Sequence, residues 1–427
     1  MLINSFSFLF VLAIHCYVHS CTAQTIPSDN VPFTQDSITK YLQKANTDPM
    51  THILKSYEAS SHNYLVPYYL SRHTKIDSTD QALYYANRTM LTTFSSFVGD
   101  VKANESTYID PHQEDIEIPV DTNYIAVDAI EELASVAKKH QVIMLNESHI
   151  DPRGRLFLMN LLPTLKAAGF TYLFMEGLRE DGINERGFPL QTSGFYTSEP
   201  MYGNLIRKAI QLGFKLVPYD CYQDPCDGAP SREQHQATVI YETLKKHPQA
   251  KAIVYAGHGH ITKDPERNWM AYRFKTLSGI DPFCINQAIN SETPALFRQL
   301  RKTITKPVIY KNSSTNTYQK FSQTKVKSDV TVVFPNTEWI GGQYARWLFH
   351  SGKKPYKLTL NGQKYTQSLL SIVKCHEFDQ YGTLTVPVMN IVLQQIAPTE
   401  IFLDKGSYYL RVIDLYGKEL HKEKITL

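Results

Sequence analysis

The apolar positions at the centre of this chain fall into four short runs, each leading to ionisable residues. Residues 142–145 run into Asn146-Glu147-Ser148-His149, and residues 172–175 into Glu176-Gly177. Residues 215–218 run into Tyr219-Asp220, and residues 252–255 lead to Gly257-His258-Gly259-His260. A near-continuous apolar run predicts a strand buried on both faces, as in a parallel sheet covered by helices. The stretches between the runs carry the helical period. Leu158, Leu161, Leu162 and Leu165 keep i, i+3, i+4, i+7 spacing before Gly169, and Leu205, Ile206 and Ala209 precede Gly213. Ile130, Leu133, Ala134 and Ala137 form a stripe before the first run, and Ala237, Ile240, Tyr241 and Leu244 one before the fourth. Helices that close on Gly and feed a strand are the αβ loops of an alternating fold. A further helix near 265–277 leads to a fifth strand at Phe283-Cys284-Ile285-Asn286, and residues 329–334 read as an edge strand. In such a sheet the working crevice lies beyond the carboxyl ends of the strands, so the four endings predict one convergent site.

The flanks differ in pattern. Residues 24–120 are polar and helical in character, with helices expected at 37–45, around Tyr57 and at 81–97, then a linker at 110–119. From residue 351, short alternating strands and turns, such as 407–412 before Tyr416-Gly417, predict a β-rich module of sandwich type. The expected architecture is α/β: a mainly parallel sheet flanked by helices over 121–350, with an N-terminal helical extension and a C-terminal β-rich module. The 427 residues suit roughly two to three domains.

Composition narrows the function. With 42% hydrophobic and 20% charged residues and a net charge of +3, nothing points to nucleic acid or to a polybasic membrane patch. The apolar stretch 6–14 is too short to span a bilayer and is followed by small and polar residues, which reads as a signal peptide over 1–23. Val18-His19-Ser20-Cys21 roughly fits a lipobox, so membrane attachment through a lipidated Cys21 is an alternative. Export to the periplasm or outer membrane, or secretion, is the expectation. Cys221 and Cys226 flank a short loop and suit a disulfide in an oxidising compartment, while no CxxC spacing suggests structural zinc.

The strand endings carry the chemistry. Glu147 and His149 are two apart, which in extended backbone puts both side chains on one face. His258 and His260 share that spacing, between glycines that let a ligand approach the backbone. Glu147, His149, His258 and His260 make a legitimate ligand set for Zn, Mn or Fe(II). Without metal, the same groups make a general base with a carboxylate to orient it. Glu176 and Asp220 can ligate a metal or hold a histidine tautomer. Arg153 and Arg155 open the helix after the first motif, where they can clamp an anionic group. Arg232 and Glu233 open the fourth helix behind Ser231, a natural N-cap, with Glu233 placed to pair with Arg232 or Arg155. Each residue also has a bland reading as a turn cap, a loop histidine or a solvated helix end; convergence from four strands favours the site. No GxSxG elbow and no P-loop is present, which excludes the usual serine hydrolases and nucleotidases.

At these residues the chain resembles the superfamily that joins erythromycin esterases, ChaN-like haem-binding lipoproteins and the Tiki/TraB proteins. Its motifs are a GExH-type sequence after the first strand, a Glu after the second, an Arg-acidic helix start and a final GxxH. Here they read Asn146-Glu147-Ser148-His149, Glu176-Gly177, Arg232-Glu233 and Gly257-His258-Gly259-His260, over roughly residues 125–290. The leading Gly of the family is Asn146 in this chain, a residue that tolerates the left-handed backbone expected at that turn. The resemblance implies metal-independent ester hydrolysis in one branch, metal-dependent proteolysis in another and haem binding in a third.

The sequence thus supports an exported hydrolase acting on an ester, lactone or amide in a small molecule or peptide. Glu147 and His149 would activate water, with Glu176 or Asp220 orienting the imidazole. His260 would stabilise developing charge or complete a divalent-metal site, and Arg155, Asp220, Arg232 and Glu233 would hold the substrate. The alternative is a haem- or iron-binding lipoprotein without catalysis, in which Glu147 is dispensable. A third is an inactive scaffold.

Overall fold

The computed structural model describes residues 33–75, 91–102, 122–221, 226, 228–288, 298–321, 326–349, 354–360, 364–394 and 398–427. The expected leader, Cys21 and the 110–119 linker lie outside them. Among the described residues, no helix is long and apolar enough to cross a membrane.

The apolar runs are strands: β2 (Val142–Glu147), β3 (Phe170–Met175), β4 (Lys215–Pro218), β5 (Lys251–Gly257) and β6 (Phe283–Asn286). With the short edge strand β8 (Val330–Thr331) they form a six-stranded parallel sheet in the order β4-β3-β5-β2-β6-β8. Strand β1 (Tyr124–Asp128) instead pairs antiparallel with β7 (Val308–Asn312), beside this sheet. Because side chains alternate across a strand, the two faces of the sheet have separate cores. Ile143, Leu145, Leu173, Met175, Ile253 and Tyr255 share one apolar cluster, whereas Val142, Met144, Phe174, Val254 and Ala256 share the other.

The first face is covered by α4 (Ala129–Lys139), α5 (Arg153–Ala167) and α7 (Pro200–Gln211); the α5 and α7 stripes are the predicted ones, while in α4 Val136 and not Ala134 joins Leu133 and Ala137 in the core. Gly169 and Gly213, just past α5 and α7, take φ of 89° and 76°, the left-handed conformation that lets a helix stop and reverse into a strand. The second face carries α8 (Ala229–Lys246) and α9 (Met270–Ser278), through Ala237, Ile240, Leu244, Met270 and Phe274. A single turn, α6 (Ile183–Arg186), sits between β3 and α7.

The N-terminal helices α1 (Gln35–Ala45), α2 (Pro49–Ala59) and α3 (Leu65–His73) add Ile38, Ile53, Leu65 and Leu70 to the first-face cluster. The extension therefore thickens the domain core. At the other end, the C-terminal region holds an antiparallel sheet of Met389–Val392, Leu369–Lys374, Ser407–Ile413 and Glu419–Thr426, in that order. It shares a cluster with a two-stranded ribbon of Lys354–Lys357 and Glu400–Leu403, giving a small antiparallel β-rich unit.

That unit is no mere spacer. Leu369 and Val392 reach the first-face cluster, and Asn204 on α7 donates to the Val388 carbonyl at 2.8 Å. Arg207, also on α7, makes two hydrogen bonds to Glu377 at 2.9 and 2.5 Å inside this interface. Glu377 lies on Cys375–Tyr381, a short helix inside the β-rich region where alternation alone predicted only strands and turns.

Candidate active site

The carboxyl ends of β4, β3, β5 and β2 lie side by side, and the register sets Glu147 opposite Gly257 and Met175 opposite Tyr255. Glu176 follows Met175, and its amide donates to the Tyr255 carbonyl at 3.0 Å. The four endings therefore meet. They organise into two arginine-centred clusters that face each other across Gly257.

The first cluster is built on Arg155, which is 0% exposed. Its Nε and Nη2 donate to the two oxygens of Glu147 at 2.8 and 3.1 Å, its Nη2 also to the His149 carbonyl at 3.0 Å, and its Nη1 to Glu199 at 2.9 Å. A second oxygen-rich partner is needed because a buried guanidinium carries five N–H donors. Glu199 in turn caps α7, accepting from the amides of Met201 and Tyr202 at 2.9 and 2.7 Å. Burial raises the pKa of Glu147, but Arg155 and His149 outweigh it and bring the carboxyl down to about 2. Ionised Glu147 then holds His149, whose Nδ1 lies 2.9 Å from Oε1.

His149 is 7% exposed and stacks on Tyr196, ring centroids 4.1 Å apart. Burial lowers its pKa, and the charge of Glu147 only partly offsets this. The imidazole is thus neutral near neutral pH, and Glu147, acceptor-only when ionised, fixes the proton on Nδ1. Nε2 points over Gly257: a Cβ there would lie 2.7 Å from Nε2 and 3.5 Å from Glu176 Oε1. Only glycine leaves that space for both groups.

The second cluster is built on Arg232. Its Nε and Nη2 donate to the two oxygens of Asp220 at 2.7 and 2.5 Å, and Nη2 also to Glu176 Oε1 at 2.7 Å. The Asp220 carboxylate further accepts from Gln236 at 2.8 Å, and Glu176 Oε2 from the Gly257 amide at 2.6 Å. Burial acts to raise the Glu176 pKa, but His260, Arg232 and His149 prevail and hold it well below the ordinary carboxylate range. His260 stands between carboxylates, with Nδ1 2.6 Å from Glu233 Oε1 and Nε2 3.6 Å from Glu176 Oε1. Burial lowers its pKa, yet Glu233 and Glu176 more than reverse this and raise it to about 9. His149 is therefore neutral and His260 positively charged near neutral pH.

Several expectations change. Asn146 is not at a turn: it is the fifth residue of β2, fully buried opposite Ala256. Its amide donates to the His258 carbonyl at 2.7 Å and to Asn286 at 2.9 Å, and its oxygen accepts from the amides of Gln287 and Ala288 at 2.8 and 3.2 Å. Asn146 is thus a bracket that joins β2, β6 and the His258 loop. Ser231 does not cap α8, which starts at Ala229 after Gly228 with Pro230 in its first turn; the Ser231 hydroxyl donates to the Gly228 carbonyl at 3.0 Å. Glu233 meets neither arginine, because successive helix residues point about 100° apart. It pairs with His260 and accepts from the Met270 amide at 2.6 Å. Arg153 turns to Asp151, at 2.7 Å, rather than to the site.

Glu147, His149, His258 and His260 do not converge as metal ligands. Among the described residues, the group of three His, Cys, Asp or Glu ligand atoms within 4.8 Å of one another is Cys221, Cys226 and His235. The donors at the strand ends do not fit a divalent cation, because guanidinium groups already stand against Glu147, Glu176 and Asp220. His258 adopts φ of 25° and sets its ring edge-on to His149 at 5.3 Å, with its amide bonded to the Glu147 carbonyl at 2.9 Å.

Glu199, Tyr196 and Gln236 escaped the sequence reading. Glu199 alone left a local trace, an acidic residue directly before Pro200, which is an N-cap followed by proline in the first turn.

No family model and no curated protein matches the chain. Among solved structures, the type III effector HopBA1 is 10% identical and aligns over 51% of this chain and 100% of its own, with a TM-score of 0.33. RRSP, a MARTX toxin effector domain from Vibrio vulnificus CMCP6, is 14% identical over 64% of this chain and 67% of its own, with a TM-score of 0.31.

Proposed function

We propose that this chain is a hydrolase of ester, lactone or amide bonds, of the erythromycin esterase, ChaN and Tiki/TraB kind, working without a metal. One observation carries the reading: two histidines, one neutral and one protonated, stand close to the same Glu176 carboxylate, His149 hydrogen-bonded to buried Glu147 and His260 2.6 Å from buried Glu233. When neighbouring titratable groups have their pKa values driven apart, the environment has assigned the base and the acid. Neutral His149 is the base. Its Nε2 takes a proton from a water as that water attacks the carbonyl carbon. Glu147 holds the tautomer and stabilises the imidazolium that forms, and Arg155 holds Glu147 ionised. Protonated His260 and Arg232 stabilise charge developing on the carbonyl oxygen, and His260 supplies the proton to the leaving group. Arg155 and Asp220 are positioning residues in this scheme, since each is buried behind the group it holds. Export accords with the apolar N-terminal stretch and with the disulfide between Cys221 and Cys226.

The test is a screen of the purified full chain against an aryl ester, a lactone and a peptide series, with and without chelator, on wild type and His149→Gln. A positioned base contributes about 10²–10⁴-fold, so His149→Gln should lose that much turnover while chelator changes nothing. Turnover in wild type that survives His149→Gln would overturn the assignment. No turnover in any class, together with a Soret band on adding haem, would favour the carrier reading.

A further inference from the structure

The loop after β4 carries a constellation that the proposed chemistry does not use. Cys221 and Cys226 are disulfide-bonded, five residues apart in sequence, with Cα atoms 6.0 Å apart. Their sulfurs and a ring nitrogen of His235 lie within 4.8 Å of one another, and both cysteines are buried. His235 sits on α8, the helix that carries Arg232 and Glu233 into the site. Two thiolates and an imidazole are a soft, zinc-type ligand set, but a disulfide offers no thiolate.

We propose that Cys221, Cys226 and His235 form a redox-gated metal site, closed as a disulfide under oxidising conditions and taking one Zn²⁺ ion once reduced. Water would complete a tetrahedron. With Zn–S bonds of about 2.3 Å, the two sulfurs part to about 3.8 Å, a side-chain rotation that stays inside the 4.8 Å envelope the three ligand atoms already share. Reduction by a phosphine and water yields two thiols and the phosphine oxide: phosphorus gives the electron pair, and water gives the oxygen and both thiol protons. A dithiol does the same work by closing its own disulfide. Zn²⁺ then displaces the two thiol protons as each thiolate binds.

The two states differ in what they fasten. The disulfide joins Cys221 to Cys226, whereas the metal also joins both to α8 through His235. This bears on the site because the Cys221 amide donates to Asp220 Oδ1 at 2.9 Å, and Asp220 holds Arg232. The inference stands apart from the hydrolase reading, since it concerns metal uptake and not turnover.

The experiment is zinc stoichiometry and melting temperature of the full chain, oxidised and after a phosphine reductant. It compares wild type, His235→Ala, and the double variant Cys221→Ser/Cys226→Ser. The double variant keeps Cys284 and Cys375, the buried free thiols, and so reports any metal they take. Reduced wild type should bind about one Zn²⁺ per chain and melt higher for it, while the oxidised protein and the double variant bind none. His235→Ala keeps the disulfide for folding and should bind at least about tenfold more weakly after reduction, the lower limit for disturbing even an outer-shell partner. Reduced wild type that takes up no stoichiometric zinc would overturn the proposal. So would equal affinity in His235→Ala or in the oxidised protein.

Discussion

Replacing Arg155 by Met removes the buried cation while keeping most of its length and apolar stem. Glu147 and Glu199 then face each other's surroundings with no guanidinium between them. Breaking a buried ion pair by removing one partner costs about 3–5 kcal/mol, a large part of a typical stability of roughly 5–15 kcal/mol. The pH dependence rests on the Glu147 carboxyl, whose low pKa is the net of burial, Arg155 and His149. Glu147 held near 2 instead of an ordinary 4.5 corresponds to about 3.5 kcal/mol at roughly 1.4 kcal/mol per tenfold. The sign with pH follows. A carboxylate with a depressed pKa adds stability that is complete above its unfolded value and is lost as pH falls from there toward about 2. In Arg155→Met the same carboxyl is raised by burial, so acid relieves the variant while it weakens the wild type. Urea unfolding should show a gap of about 3–5 kcal/mol near neutral pH, narrowing as pH falls through the raised carboxyl value of the variant and on toward about 2, where the wild-type carboxylate is lost. A gap that stays constant with pH would mean that Arg155 acts by packing alone, and a gap under about 1 kcal/mol would refute the ion-pair argument.

Other outcomes follow from the same geometry. Glu147→Gln frees the His149 tautomer and should cost about 10⁴-fold in kcat with little change in KM, the size seen when the equivalent carboxylate of a Ser-His-Asp triad is lost; single-turnover kinetics on the best substrate will measure it. In the pH profile of kcat/KM, activity should rise as His149 loses its proton, below the ordinary histidine value, and fall near pH 9 as His260 loses its own; His260→Gln should abolish the alkaline fall. Asn146→Gly removes a buried side chain that makes four hydrogen bonds. At about 1 kcal/mol each, thermal unfolding should show a loss of roughly 3–4 kcal/mol rather than any gain in activity. Gly259→Ala would drive a Cβ into the Trp269 ring, so it should misplace His260 and lower both melting temperature and turnover.

Much of this fold was legible because its signals are local. Buried parallel strands need apolar side chains on both faces, and β3, β4 and β6 stand within two residues of where runs of apolar residues put them. The helix stripes and the glycines at 169 and 213 follow from one-sided burial and from a left-handed stop. The convergence of Glu147, His149, Glu176, Asp220 and His260 was legible as well, because strand ends in a parallel sheet share one edge. Pairing was not. Whether Glu233 meets Arg232, Arg155 or His260 depends on the angle at which α8 crosses the sheet, which no local pattern encodes. Asn146 was read as a turn residue because polar residues are rare inside buried strands; its partners come from β6 and the His258 loop, far along the chain. Tyr196 and Glu199 belong to an irregular connection whose only periodic neighbour is α7. The attachment of the C-terminal unit rests on Arg207 and Glu377, a pair 170 residues apart.

The central claim is that His149 is a neutral base and His260 a charged acid in the same small site. The most direct measurement is a titration of both imidazoles by nitrogen-detected NMR in the resting protein, assigned through His149→Gln and His260→Gln. Near neutral pH, His149 should be neutral with its proton on Nδ1, and His260 should carry both protons until about pH 9. A His149 protonated on Nε2, or a His260 already neutral near pH 7, would contradict the account.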